Sequence, residues 1–305
     1  MKLDNSAYKF GGAQKFPVRF AWLPKGIKEY SADPKVFENA EATVKLGVGS
    51  AMVKSIKYWL QAFRLVDGAS GKLTGLCKEI FDQEKGFDPF LEDDGTLWLL
   101  HWLLASNARD ATAAFWFFNL YHQSEFSGEE TSTSLRDFAS QNLQRTVSVS
   151  TLDADVSVLL RMYAQSKLDP RNPMEDSLDS PFASLGLISK SLAGKRYSSK
   201  YSERVGLPNL ILGYAVISVM TARKAQILPI EDLMYSKDQY AAPGTVFRLT
   251  ENTLIKKLEE MSLELSEYFE VRESNGINQV FLKEALDPYA LVLAYYRASD
   301  EEKAA

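Results

Sequence analysis

The sequence is poor in the residues on which many metalloenzymes and hydrolases depend. Its 305 residues include 1 cysteine and 2 histidines. Zinc fingers, His-metal nucleases and metallohydrolases need clusters of His or Cys at ligand spacing, so these counts exclude them. A Ser-His-Asp hydrolase is excluded too, because the sequence lacks the Gly-x-Ser-x-Gly turn. Both histidines, His101 and His122, lie in apolar stretches that indicate helices, and we expect them to be core residues.

Other missing sequence motifs exclude further classes of function. The sequence has no Gly-x-x-x-x-Gly-Lys-Ser/Thr loop and no Gly-x-Gly-x-x-Gly fingerprint, so nucleotide hydrolysis and dinucleotide binding are not expected. Cys77 has no partner for an internal disulfide, and no signal peptide is visible, which favours a reducing cytoplasm. The most apolar run, residues 97–105, is far shorter than a membrane span, so no membrane partner is expected.

Charge is divided unevenly along the chain. The net charge is −5, which argues against a generally basic nucleic-acid binder. Residues 1–78 nevertheless hold 13 Lys and Arg against 6 Asp and Glu, a net of +7, whereas the remainder holds 22 against 34, a net of −12. A basic module on an acidic body can present one face to phosphates while the body repels them. The alternative is an ordinary scatter of surface charge.

Residues 50–64 predict a two-faced helix. Apolar residues from Met52 to Phe63 fall at the spacing of one helix face. The opposite face carries a polar and basic stripe, made of Ser50, Lys54, Lys57, Gln61 and Arg64. A short helix predicted at residues 40–45 precedes it across the turn 46–49. Two short helices around a glycine turn are typical of a helix-turn-helix, whose second helix enters a DNA groove.

The surrounding residues extend this pattern to a winged helix. Residues 65–73 predict a small hairpin around a glycine turn, with Lys72 near its tip, and Thr74 is expected to cap the next helix. Lys45 ends the first helix of the motif. In the aromatic and basic stretch 16–25, Arg19 and Lys25 are expected to contact phosphates. Its aromatic residues are expected to pack against the module, with stacking on an unpaired base as the alternative.

The remaining chain predicts two further modules. Residues 86–165 indicate a buried helical hairpin followed by a second helix-turn-helix-like pair, in which Asp153 and Asp155 would repel phosphates. Residues 166–305 contain a Pro-, Asp- and Ser-rich linker, a long apolar helix, a strand within 242–249, and a hairpin around Asn275-Gly276. The sequence therefore predicts a mainly α, α+β protein with a winged helix at 1–85, a helical module at 86–165 and a C-terminal module at 166–305.

Clustered carboxylates are the one remaining route to nuclease chemistry, since they hold Mg²⁺, which polarises a phosphate and activates water. The group from Asp88 to Asp94 immediately precedes a predicted helix, and capping of that helix explains it. Glu175, Asp176 and Asp179 precede the basic run from Lys190 to Arg204. This second group gives the candidate metal site, with Asp176, Asp179 and Lys195 as the candidate catalytic residues.

Five segments of the chain resemble a bacterial family of SspB-type proteins, long classed as a domain of unknown function. They lie in the expected order and span most of the sequence: FPVRFAWLPKG (16–26), VKLGVGSAMVKSIKYW (44–59), DPFLEDDGTLWLLHWLLASN (88–107), EDSLDSPFASLGLI (175–188) and PGTVFRLT (243–250). The resemblance implies a DNA-nicking endonuclease of a DNA phosphorothioation and anti-phage defence system. It also implies three partners: a cysteine desulfurase, a sulfur-transfer ATP pyrophosphatase and an ATPase.

Two functional hypotheses remain open at this point. One is a Mg²⁺-dependent nickase that docks on double-stranded DNA through its winged helix. The other is a non-enzymatic winged-helix protein that binds DNA and recruits other enzymes or regulates transcription. The absence of a recognisable nuclease motif favours the second, and the family resemblance favours the first.

Overall fold

The computed structural model describes residues 1–164, 180–191, 195–274 and 276–304. This part of the chain is mainly helical with short antiparallel strands, which confirms the expected mainly α, α+β class. It forms two compact units. The larger unit contains Leu3–Phe117 and His122–Lys200, and the smaller unit contains Met1–Lys2, Phe118–Tyr121 and Tyr201–Ala305. The division into three modules stays a prediction.

The larger unit is built from eight α-helices within its described residues. In chain order they are α1 (Trp22–Ala32), α2 (Ala42–Leu46), α3 (Ser50–Ala62), α4 (Gly75–Phe81), α5 (Asp94–Ala105), α6 (Thr112–Asn119), α7 (Gly128–Asn142) and α8 (Val149–Tyr163). The last residues of α6 belong to the smaller unit. Two 3-10 turns, Val36–Glu38 and Pro181–Leu185, complete the helical part. A small antiparallel sheet has the strand order β1 (Glu125–Phe126), β3 (Tyr197–Ser198), β2 (Ser189–Lys190).

Local sequence explains where several of these helices begin. Thr74 caps α4 by accepting the backbone N–H of Cys77, as expected from the sequence. Asp93 caps α5, and the Ser127 and Glu130 side chains form a reciprocal capping box at α7. Every residue of α5 from Gly95 to Ala105 is buried, which confirms the expected buried helix.

Helix α1 was not predicted from the sequence, and it positions α3. It places Leu23, Ile27 and Tyr30 in the core. Gly26 lies against α3 so closely that an added Cβ would come within 2.7 Å of Ile56 Cγ2. Glycine therefore sets the separation of the two helices.

The smaller unit combines helices with one three-stranded antiparallel sheet. Its elements are α9 (Asn209–Arg223), β4 (Ile227–Pro229), α10 (Ile230–Met234), α11 (Pro243–Val246), α12 (Glu251–Glu264), β5 (Phe269–Ser274), β6 (Ile277–Leu282) and α13 (Pro288–Ala304). The order β4-β6-β5 includes the predicted hairpin, whose β5 and β6 are paired in register. The strand expected within residues 242–249 is wrong: Pro243 starts the short helix α11, because its fixed φ suits the first helical turn.

Candidate nucleic-acid interface

The two faces expected for α3 are present. Val53, Ile56 and Trp59 are buried at 5%, 1% and 4% exposure. Ser50 and Lys54 are exposed on the first two turns of the opposite face. The N-terminal part of this helix therefore presents a polar and basic surface, while its opposite face is packed in the core.

The turn before α3 is close to a lysine from α1. Gly47 ends α2 with φ 65°, a left-handed conformation that glycine adopts without strain. The side-chain amine of Lys25 lies 3.4 Å from where a Cβ on Gly47 would stand. Lys25 is exposed, as is Lys45 in the last turn of α2. Lysines from α1, α2 and α3 are thus available on this side of the larger unit.

Lys57 is half-buried and has an acidic neighbour. Its amine lies 3.5 Å from a carboxylate oxygen of Glu38. The two side chains are 42% and 66% exposed, so the ion pair contributes little free energy and separates at small cost. Lys57 therefore remains able to exchange a carboxylate for a phosphate.

The C-terminal end of the predicted stripe is engaged within the protein. The Lys9 amine donates to the Gln61 side-chain oxygen at 3.3 Å. The Arg64 guanidinium donates to the carbonyl of Ser106 at 2.8 Å, and Arg64 itself is left-handed with φ 55°. Both side chains consequently hold the end of α3 to neighbouring segments, and their DNA contacts stay predictions.

The segment after α3 forms a minimal hairpin. Val66 and Leu73 make an antiparallel bridge, and the Asp67 N–H donates to the Lys72 carbonyl at 2.8 Å. The Tyr30 hydroxyl donates to the Gly71 carbonyl at 2.6 Å, which attaches the hairpin tip to α1. The Lys72 side chain is exposed.

The aromatic residues of the N-terminal stretch divide between core and surface. Trp22 is buried and meets Phe16 edge to face, and the Trp59 indole donates to the Phe16 carbonyl. Arg19 is half-buried, with its guanidinium 5.7 Å from the Trp22 ring centre. The packing expected for this stretch is confirmed for Phe16 and Trp22, whereas Phe20 is 42% exposed.

The candidate metal and catalytic carboxylates, Glu175, Asp176 and Asp179, lie outside the described residues. Lys195 is described and exposed. Farther along the same basic run, Arg196 and Lys200 lie 3.5 Å and 3.2 Å from carboxylates, those of Glu130 and Glu125. In the part of the chain that the structure describes, no three His, Cys, Asp or Glu side chains are grouped so as to hold a metal ion.

The first acidic group has the structural role expected of it. The buried Asp88 carboxylate accepts the backbone N–H groups of Glu92 and Asp93, at 2.7 and 3.1 Å. Asp93 in turn accepts the N–H groups of Gly95 and Thr96 as the cap of α5. These carboxylates order the loop and start the helix.

The two histidines differ from each other. His101 is fully buried in α5, with its Nδ1 2.8 Å from the Tyr163 hydroxyl, as expected for a core histidine. His122 is exposed in the loop after α6, so the expectation of a core position is wrong for it. The apolar residues before it, which suggested a longer helix, end in α6 at Asn119.

The second predicted helix pair, α7 and α8, carries acidic side chains that bind within the protein. Asp153 lies 3.7 Å from the Arg136 guanidinium. The Asp155 carboxylate accepts the backbone N–H of Gly11 at 2.8 Å. Burial raises the pKa of Asp155 to about 6, and the hydrogen bond from Gly11 only partly offsets this. Because it accepts the Gly11 N–H, Asp155 fixes the N-terminal segment to α8.

Sequence reasoning missed a buried arginine in the smaller unit. Arg248 is 1% exposed, and its guanidinium donates to the carbonyls of Phe118 and Tyr121 and to the Tyr201 hydroxyl. Burial lowers its pKa. It joins Phe118–Tyr121 to the rest of the unit. The sequence offers one signal, an arginine between the apolar residues Phe247 and Leu249.

Across the described residues, every helix is too short or too polar to cross a lipid bilayer.

No curated protein matches this chain. Among solved structures, one described as "SspB crystal structure" has a TM-score of 0.82 and 26% identity, covering 96% of this chain and 90% of that one. A second, "Magnesium ion-bound SspB crystal structure", has the same TM-score and identity, with 97% and 89% covered.

A family model also matches this chain. The family is described as "Protein of unknown function (DUF4007)", and its model matches residues 10–296, which include the α2–α3 region and most of both compact units. Since the match covers nearly the whole chain, the protein belongs to the DUF4007 family.

Proposed function

We propose that this chain is the DNA-binding and DNA-nicking component of a bacterial DNA phosphorothioation and anti-phage defence system. The observation that carries the proposal is the similarity to SspB over 96% of the chain at a TM-score of 0.82. The proposed partners are double-stranded DNA and the cysteine desulfurase, ATP pyrophosphatase and ATPase of the same system. A nick would open one strand so that sulfur can replace a non-bridging phosphate oxygen.

The proposed docking element is a winged helix within residues 1–85. Its helices are α1 to α4, α3 enters the major groove, and the hairpin at Val66 and Leu73 is the wing. The support is the order of these elements, the exposed Ser50 and Lys54 on α3, and the +7 charge of residues 1–78. Arg19, Lys25, Lys45, Lys57 and Lys72 are proposed to contact phosphates. The other residues proposed to contact DNA are Ser50, Lys54, Gln61 and Arg64.

The proposed chemistry is hydrolysis of one phosphodiester bond with Mg²⁺. Glu175, Asp176 and Asp179 would supply the hard oxygen ligands that Mg²⁺ prefers, and Lys195 would steady the phosphate. One similar structure is described as magnesium ion-bound, which supports the choice of metal.

A supercoiled-plasmid assay tests this proposal. We expect purified protein with Mg²⁺ to produce open-circular DNA, and EDTA to stop it. Replacing Asp176 and Asp179 together by Asn should abolish nicking while a gel shift with duplex DNA is unchanged. The matched control is Asp94→Asn, which removes an exposed carboxylate at the start of α5.

The outcomes separate the two functions. Nicking that persists in the double variant rejects the carboxylate site. An intact plasmid together with a sequence-dependent gel shift rejects the nickase and favours the alternative, a non-enzymatic winged-helix protein for recruitment or regulation. If the wild-type protein neither nicks the plasmid nor shifts the duplex in a gel, the DNA-binding proposal itself is rejected.

A further inference from the structure

A depression of about 290 Å³ opens on the surface of the larger unit, beside α1. We call it the aromatic depression. The residues that matter for its chemistry are Phe20, Pro24, Lys25, Lys28, Gln83 and Phe90. The exposed face of α1 forms one wall, because residues 21, 24, 25 and 28 recur at helical spacing. The loop that follows α4 forms the other wall.

Two phenyl rings line this depression without being buried by the protein. Phe20 is 42% exposed and Phe90 is 57% exposed. Exposed phenylalanine is unfavourable in water, and two such rings in one depression are typical of a binding surface. Their rings contrast with Phe16 and Trp22, which belong to the same part of the chain and pack against each other.

The position of Phe90 is fixed by hydrogen bonds in its own loop. The buried Asp88 carboxylate accepts the N–H groups of Glu92 and Asp93, on the far side of Phe90. Leu91, next to Phe90, is 1% exposed and left-handed at φ 63°. Burial of Leu91 in this conformation turns the chain so that the Phe90 ring lies outward. Exposure of Phe90 therefore comes from an ordered loop.

Positive charge lies at the same depression. Lys25 and Lys28 are exposed on α1, and neither amine has an ion-pair partner among the described residues. Gln83 adds an exposed amide, which donates and accepts hydrogen bonds. Among the residues that the structure describes, no acidic side chain lines the depression. The lining thus combines aromatic faces, two cations and one amide.

We propose that the aromatic depression binds one unpaired nucleotide of a DNA strand. The base stacks on Phe20 and Phe90, the Gln83 amide contacts its edge, and Lys25 and Lys28 hold the adjoining phosphates. An apolar peptide would use the rings but leave both lysines without a partner, so the nucleotide is the better match in charge. The inference rests on the proposed DNA function and adds a site for the opened strand.

The experiment compares three labelled probes: a short oligothymidylate, an abasic sugar-phosphate strand of equal length, and a fully paired duplex. We expect the protein to bind oligothymidylate more tightly than the abasic strand, since only the former stacks. Phe20→Ala with Phe90→Ala should weaken oligothymidylate binding about 10-fold, the scale of losing one stacked base, and leave duplex binding unchanged. Phe90→Trp in place of Ala should restore binding.

Two further variants sharpen the result. Lys28→Gln should reduce the log-log salt slope for oligothymidylate by about 0.7, the value for one single-strand phosphate contact. Leu263→Ala is the matched control, because Leu263 is 81% exposed in the smaller unit and its loss should change nothing. Equal affinity for oligothymidylate and the abasic strand, or full binding by the double alanine variant, overturns the inference. If the wild-type protein does not bind the duplex at all, it is the proposed function that is rejected.

Discussion

At the scale of single residues, Asp155 is the side chain with the clearest measurable consequence. Its pKa of about 6 lies above the usual value of 3.8, because burial disfavours the charged form. Below about pH 4 the carboxyl is protonated in both folded and unfolded chains. As the pH rises through about 6 it ionises in the folded protein too, and the stability contributed by its protonated form is lost.

The corresponding prediction concerns Asp155→Asn, which keeps an oxygen for the Gly11 N–H but removes the charge. We expect it to be more stable than the wild type at pH 7 by up to about 3 kcal/mol, since one pKa unit corresponds to about 1.4 kcal/mol. The gap should close on going to pH 4. Urea unfolding of both proteins between pH 4 and 7 measures it.

Asp153→Asn is the control for this prediction. It removes a carboxylate two residues away on α8, one that lies 3.7 Å from the Arg136 guanidinium and does not accept the Gly11 N–H. If the difference in unfolding free energy from the wild type grows with pH for Asp155→Asn but not for Asp153→Asn, the Asp155 carboxyl is its cause. If the unfolding free energies of the wild type and Asp155→Asn change with pH in the same way, the prediction is contradicted.

At the scale of elements, the contact between α1 and α3 decides how the basic helix is presented. A methyl group on Gly26 would meet Ile56 Cγ2 at 2.7 Å, and Ile56 is buried and branched at Cβ, so it has little freedom to turn away. Gly26→Ala gains about 1 kcal/mol of helix propensity but overpacks the contact at a cost of about 1–3 kcal/mol. We expect a net loss of about 1 kcal/mol in the free energy of unfolding.

Two variants control for propensity and for the clash. Gly75→Ala, in the first turn of α4, adds a methyl group with no atom within 4 Å and should not destabilise the protein. Ile56→Leu removes Cγ2, so it should recover part of the loss when combined with Gly26→Ala. If Gly26→Ala is as stable as the wild type, the close contact does not set the helix separation.

The elements also show which parts of the fold the sequence could predict. Helices α3, α4 and α12 were predictable because their apolar spacing and caps, such as Thr74 and Thr250, are local signals. Helix α1 was missed because its stretch is aromatic and contains Pro24, although proline is tolerated in a first turn. Residues 242–249 look strand-like locally, yet Pro243 starts a helix there.

The candidate site was predictable to a similar degree. Spacing alone put Gln61 and Arg64 on the same helix face as Ser50 and Lys54. Their bonds to Lys9 and Ser106 come from residues more than forty positions away, which no helical pattern contains. The aromatic depression was hidden for the same reason, since Phe20 and Phe90 are 70 positions apart and line one depression only because α1 lies beside the loop after α4.

At the scale of the whole molecule, charge is the feature that governs encounter with DNA. The chain has a net charge of −5 and a pI near 5.3, so its average field repels a polyanion. The +7 charge of residues 1–78 reverses this locally, and exposed Lys45 and Lys54 lie on α2 and α3, the two helices of the proposed helix-turn-helix. Binding should therefore depend on where charge lies and only weakly on the net charge.

Two charge-matched variants test that statement. Lys45→Glu with Lys54→Glu, and Lys224→Glu with Lys256→Glu, change the net charge equally, and all four side chains are exposed. We expect the first pair to elute from heparin at much lower salt and to bind the duplex more weakly. Its log-log salt slope should fall by about 1.8, from ~0.9 per phosphate contact, while the second pair keeps the wild-type slope. Equal losses in both variants would mean that net charge, and no local surface, controls the interaction.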